Sequence, residues 1–466
     1  MIRVGNLLLL ICIIFSCSSS KSGRLNEMSS RKIFSNRTSN QSDEFQRLIN
    51  SANVVILSFE QGKKYYLEDI EIEDKDSVIL FGNGATLLPS SDSISSILSF
   101  RECKFIRISN LKIDGRSGLT RSLDYLLKIE SKFIRGNKVR LDSLNIRNGD
   151  EGGVLIHNPN YKLNAGGVDS IFVTNSYITN PGRHSCFNIR GNNGYALVEN
   201  CFGSDPEGRQ RKGAIFGFSS TVPNEKNYIS HVEVLNCTAD THNRAGLFAQ
   251  KVKNLHVNGF TSINGGIVPF LLNGKLKGIN GIKLDDLGAG SKALLENINV
   301  NFQNTDIKYR IGLALEQSQG KSVTHSVTLR NFKFTNAGVR LVASGRNTIE
   351  NGEILDHFIV IKSDSNTISN MAIINNTNGN AIRLLGKSNR VDNCRFYKGN
   401  IKVFEKSKNN YLTKNHFFNL KQTPAVVLEK SFNGRIYYES STLHNTRFDF
   451  NRQYSEIISN GNYKAK

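Results

Sequence analysis

Three stretches in the middle of the chain repeat one alternation of apolar and polar positions. VDSIFVTNSYITNPGRHSCFNIRG (from 168), YALVENCFGSDPEGRQRKGAIFGFS (from 195) and HVEVLNCTADTHNRAGLFAQK (from 231) each run from an aliphatic residue, through any residue, to Asn. A charged turn and a second apolar run follow. With an aliphatic residue two places earlier, the Asn recurs at Asn110, Asn175, Asn200, Asn236, Asn297, Asn331, Asn351, Asn370 and Asn393. Looser copies stand at Asn258 and Asn415, and Ser143 takes the place in LDSLNI. The intervals 351 to 370 and 370 to 393, 19 and 23 residues, are too short for a strand, a crossover helix and a second strand. Each repeat is therefore one coil of three short strands, and the chain is an all-β solenoid.

Asn suits the repeat because, Gly aside, it best tolerates a left-handed backbone and its amide can bond a neighbouring turn. Stacked amides make a ladder. The aliphatic residue before each Asn and the apolar residue three after it (Ile113, Ile178, Val300, Phe334, Ile354, Ile373, Phe396) then share one core. Upstream, Phe45, Leu48, Ile49 and Ala52 fall at helical spacing and predict an amphipathic helix that closes the open end. The phrase Gly82-Asn83-Gly84-Ala85-Thr86-Leu87 resembles the first coil of pectate-lyase-like and polygalacturonase-like proteins. Phrase and ladder together resemble the right-handed parallel β-helix of the pectin-lyase-like superfamily, over about nine tenths of the chain. That resemblance implies a single-stranded right-handed parallel β-helix with an N-terminal capping helix.

Arg3, the apolar run Leu7 to Phe15 and then Ser16-Cys17 read as a secretory signal, too short to span a bilayer. It resembles a bacterial lipoprotein signal, which implies cleavage before Cys17 and acylation of that thiol. The expected organisation is a signal over 1–16, a flexible tether over 17–41, the β-helix over 42–430 and a C-terminal cap or tail over 431–466. The tether lacks an acidic cluster resembling a surface-export tag, so the expected place is the periplasmic side of the outer membrane, as a monomer. Cys103, Cys186, Cys201, Cys237 and Cys394 show no CxxC spacing for zinc and read as small core residues.

Charge changes the picture moderately. Lys plus Arg number 60 against 40 Asp plus Glu, a net +20. Residues 383 to 466 hold 16 basic and 6 acidic residues, half of that excess. The balance fits an acidic polysaccharide. Nucleic acid is disfavoured for an exported chain whose basic tail lacks interleaved aromatics.

Chemistry is expected where the repeat is interrupted, since loops on a rigid scaffold build sites. Long turns insert at 158–167, 204–211 and 222–228. Aligning the strand after each Asn phrase puts Val154, Phe187, Ile215, Leu247 and Leu313 in one inward column, and Glu151, His184, Lys212, Arg244 and Arg310 three places before it. The expected groove has Asn188, Arg190, Phe216, Phe218 and Phe248 as floor and Arg183, His184, Arg209, Arg211, Lys212, His242 and Arg244 as rim. Aromatic faces suit sugar rings and cations suit uronate carboxylates. Solvated turn residues in a basic protein are the competing explanation.

A polysaccharide lyase needs a cation on the uronate carboxylate, a base and an acid. Arg244 or Arg183 is the candidate neutraliser, Lys212 or His184 the base, and Tyr161, Tyr177 or His242 the acid. An inverting hydrolase needs two spaced carboxyls; Asp285-Asp286 precedes Asn304-Thr305-Asp306 and neither GHG nor RIK appears, against the polygalacturonase-like order. Phe202-Gly203-Ser204-Asp205-Pro206-Glu207 is similar to the catalytic phrase of alginate C5-epimerases, with Phe for its Tyr and Glu for its His. A calcium site on Asp205 and Glu207, as in several β-helix lyases, competes with their simply shaping the turn. A non-catalytic glycan-binding or scaffold β-helix is the alternative to an enzyme.

Overall fold

All nine Asn residues of the tight phrase adopt the left-handed backbone, with φ between 49° and 56°, and Ser143 joins them at 54°. Each such residue bends one strand into the next. The computed structural model describes residues 31–33, 40–91, 95–116, 124–132, 136–159, 167–191, 193–209, 213–220, 228–266, 271–272, 275–276, 278–303, 310–317, 325–343, 345–375, 379–420, 424–432, 434–439, 442–444 and 457–459. Among these the strands stack as a right-handed parallel β-helix. A 29-stranded sheet carries the two strands that flank each bend, and a 14-stranded sheet carries the third strand of each coil. Every pairing in both sheets is parallel; a two-strand hairpin, Leu271–Leu272 with Lys275–Leu276, is antiparallel.

The looser copies of the phrase are displaced by one residue. Gly259 (φ 68°) and Lys414 (φ 52°) take the left-handed places expected at Asn258 and Asn415. Asn415 is fully buried instead, accepting from the Cys394 amide at 3.1 Å and donating to the Val391 carbonyl at 3.0 Å. A side chain that can satisfy two backbone groups is stabilised by going inside.

The helix Ser42–Asn50 lies over the first coils, its Phe45 and Ile49 buried and Phe45 stacked on Phe59 at 5.8 Å. Asp43 and Glu44 occupy its first turn, where the helix dipole favours acids. Ala52 lies past the helix end and is exposed. Arg31–Ile33, inside the expected tether, pairs with the strand Val54–Phe59. At the other end Ile436–Glu439, Thr442–His444 and Ile457–Ser459 continue the larger sheet into the expected cap. The core is aliphatic with interspersed Phe, and all five described cysteines are buried free thiols.

A second asparagine ladder runs inside the late coils. Asn347 donates to Asn366 at 2.7 Å, Asn366 to Asn389 at 2.8 Å, and the backbone N–H of Asn389 to Asn410 Oδ1 at 2.8 Å. All four are buried. The exposed Asn phrase sits at the other end of the same strands, Asn366 preceding and Asn370 following Thr367–Ser369, and marks the bend.

Candidate functional site

The smaller sheet aligns Val154, Phe187, Phe216, Leu247 and Ile282 as successive inward residues. Phe216, not Ile215, holds the place in the column, and a one-residue slip turns every side chain over. Phe216 and Phe218 therefore point into the core, fully buried, with Phe216 stacked on Phe187 at 5.1 Å, and neither floors a groove. Ala214, Ile215 and Phe216 are all buried, so the apolar run AIFGF could not fix its own register. The outward residues of that strand are Gly217 and Ser219. Their small size makes a notch one coil wide in the row of outward side chains, between Asn188 and Arg190 on one coil and Phe248 and Gln250 on the next, and both are themselves buried, Ser219 at 8% exposure. The same slip puts Gly213, with φ 84°, between His184 and Arg244 where Lys212 was expected. Lys212, Arg211 and Tyr161 lie outside the described residues.

On the Asn188 side a polar cluster spans three coils. Tyr125 begins the strand Tyr125–Glu130 and lies across Gly152 of the next coil, where a Cβ would overlap its ring. Its hydroxyl accepts from Asn188 Nδ2 at 2.5 Å, and its ring sits 6.2 Å from that of His184. Asn188 Oδ1 in turn accepts from Arg190 Nε at 3.0 Å. Asn188 is outward, as expected, but only 3% exposed, because Tyr125 and Arg190 cover it. Burial pushes the Tyr125 phenol up to about 12, so it is a neutral donor at ordinary pH. Tyr125 was not among the expected acids. The signal for it was the Gly152-Gly153 pair one coil on, small residues that give the ring room.

The cations differ in their counter-charges. Arg183 Nη1 pairs with Glu151 Oε1 at 3.2 Å and His184 Nε2 lies 3.5 Å from Glu151 Oε2. Arg209 pairs with Asp150 at 2.9 Å and Glu207 at 3.5 Å. The expected column of uncompensated cations is thus laced with acids. Arg190 is different: among the described residues no carboxylate lies within 4.0 Å of it. Arg244 is exposed, and the atoms shielding its head lower its pKa without removing its charge.

His242 is not a rim residue. It is fully buried, its Nε2 2.8 Å from Ser262 Oγ and its ring edge-on to Phe302, and burial pulls its pKa down to about 4. Phe248 is half-buried at the notch, with Lys283 Nζ 5.9 Å from its ring. Tyr177 is exposed on the larger sheet, stacked on Phe202 at 4.5 Å and away from this cluster. Asp205 is buried while Glu207 turns out to Asn180 and Arg209. The two acids do not converge as calcium ligands, and among the described residues no group of three or more His, Cys, Asp or Glu side chains is gathered for a metal.

No protein-family model matches the chain, and no curated protein matches its sequence. Among solved structures the chain is similar to tailspike protein 3 of bacteriophage CBA120, with a TM-score of 0.38 and 10% identity over 88% of this chain and 59% of that one. It is similar also to a hyperthermoactive exopolygalacturonase from Thermotoga maritima, with a TM-score of 0.28 and 12% identity over 90% of this chain and 93% of that one. The chain thus spans about six tenths of the tailspike's length.

Proposed function

We propose that the chain binds an acidic, uronate-containing polysaccharide at the Tyr125, His184, Asn188 and Arg190 cluster and cleaves it by β-elimination. The observation that supports this reading is Arg190, a cation aimed by Asn188 and lacking a carboxylate of its own among the described residues. A uronate carboxylate would complete it, and charge-assisted pairing there makes the sugar's C5 proton more acidic. His184 takes that proton, the C5 electron pair forms the C4–C5 double bond, and the C4–O4 bond breaks. Tyr125 gives its proton to O4, and Asn188 Nδ2 steadies the phenolate that results. Lys212 and Arg244 remain proposed as alternative base and neutraliser.

A binding-only role is favoured by one observation, the 3% exposure of Tyr125. Incubation with a panel of uronate polysaccharides separates the readings. Ultraviolet absorbance of an unsaturated end together with new reducing ends means elimination; reducing ends without absorbance mean hydrolysis; binding without either means a module. We also infer a lipid anchor at Cys17 on the outer membrane, facing the periplasm, from the Phe15-Ser16-Cys17 phrase. Cys17→Ser should release the protein into the soluble fraction, and unchanged membrane retention refutes the anchor.

A further inference from the structure

The exposed asparagine ladder borders a cavity of about 720 Å³ on the far side of the molecule from the proposed site, at the bend between the two strands of the larger sheet. It reaches from Asn297 to Asn393, five coils, or roughly 19 Å at 4.8 Å per coil. Its ends are closed by ladder bonds: Asn297 donates to Asn258 at 2.8 Å and Asn393 to Asn370 at 2.8 Å. In the middle the ladder is open. Asn331 and Asn351 are exposed, and among the described residues their side chains bond no neighbour.

The floor between them is apolar. Ile298, Phe332 and Met371 line it, and Gly352 has no side chain because the Phe332 ring occupies the space a Cβ would need. Of the charged lining residues, Arg395 stands at the Asn393 end with no carboxylate within 4.0 Å among the described residues, and the middle of the groove is balanced. Lys333 pairs with Glu353 at 3.2 Å, and Arg330 pairs with Glu296 at 2.7 Å. An apolar floor with unpaired amides, each both donor and acceptor, is the lining that a hydroxyl-rich, uncharged ring needs. An acidic chain would find no surplus cation in the middle of it.

We propose that this groove is a second binding site, for an uncharged oligosaccharide chain lying along the solenoid axis. It is independent of the proposed catalysis. The test uses the full chain with cellohexaose, maltohexaose, mannohexaose and xylohexaose as probes, followed by calorimetry and saturation-transfer NMR. The double variant Asn331→Gly/Asn351→Gly removes both amides while keeping a residue at ease with positive φ. Ala372→Tyr, which fills the groove from its wall and leaves the ladder alone, is the second variant. At least one neutral hexasaccharide should bind the parent, with affinity falling roughly tenfold or more in each variant, and with Tm and any behaviour toward uronate polysaccharides unchanged. The proposal is overturned if no hexasaccharide binds, if binding survives both variants, or if an alternating Ser-Val hexapeptide binds where the sugars do not.

Discussion

The central coils and the late coils share one backbone and use their outward faces in opposite ways. In the late coils the outward cations of the smaller sheet rest on the protein's own aromatics: Arg383 sits over Phe358 at 4.5 Å and Lys402 over Phe404 at 4.7 Å. Where the chain passes from that sheet to the larger one, four buried asparagines tie each turn to the next. In the central coils the outward cation Arg190, two places along its strand from the column that Arg383 and Lys402 continue, is aimed by an asparagine, and the next coil presents Gly217 and Ser219. The first arrangement satisfies itself. The second leaves a cation with no carboxylate of its own among the described residues, which is what an acidic ligand can use.

The sharpest way to break this contrast is a pair of substitutions. Arg190→Ala should lower turnover or affinity for an acidic polysaccharide by about a hundredfold or more, with Tm unchanged. Arg383→Ala should leave both alone. Equal losses in the two would remove the distinction. His184→Ala should abolish elimination to a similar degree while Arg183→Ala, which removes only an exposed partner of Glu151, costs little.

The two ladders can be set against each other within four residues of sequence. Asn366 is buried and bonds Asn347, Asn389 and the Ser363 carbonyl; Asn366→Ala should cost about 3 kcal/mol in urea unfolding, since its partners are left unsatisfied. Exposed Asn370→Gly should cost less than about 1 kcal/mol, because glycine accepts the same φ. A reversal of that order would mean the exposed ladder carries the late coils.

Acid should find both regions at once, through one buried histidine in each. Burial holds His242 and His357 at about 4, below the unfolded value near 6.5. Between those limits the unfolded state binds more protons, so stability is full above about pH 7 and falls below 6.5 by roughly 1.4 kcal/mol per pH unit for each histidine. Glu130, held down near 2 chiefly by its hydrogen bond with His157, adds stability above about pH 4.5 that is lost only on further acidification. A denaturation midpoint that stays flat from pH 7 to pH 5 would contradict the histidine assignment.

The solenoid was legible because its signal is local and repeated: an Asn with positive φ announces each bend whatever surrounds it. The buried ladder carries a signal of its own, Asn347, Asn366 and Asn389 each standing four residues before a phrase Asn with an aliphatic residue between, but that spacing alone does not say that the first Asn turns inward. The site was half legible. Asn188, Arg190 and His184 follow an unambiguous strand, Phe187–Arg190, but the apolar run Ala214-Ile215-Phe216 leaves its own register open, and the one-residue slip there turns Phe216 and Phe218 inward. Counter-charges were harder still, because Arg209 and Asp150 are 59 residues apart and meet only through the coil stack. Tyr125 belongs to the same class, 63 residues from the asparagine it bonds.

The measurement that bears most directly on the central claim is a crystal structure of the His184→Ala chain soaked with a short uronate oligosaccharide. One uronate carboxylate should lie within hydrogen-bonding distance of the Arg190 guanidinium, with its ring over the notch at Gly217 and Ser219. A glycan bound elsewhere on the solenoid, with Arg190 still bonded to Asn188 alone, would contradict the account.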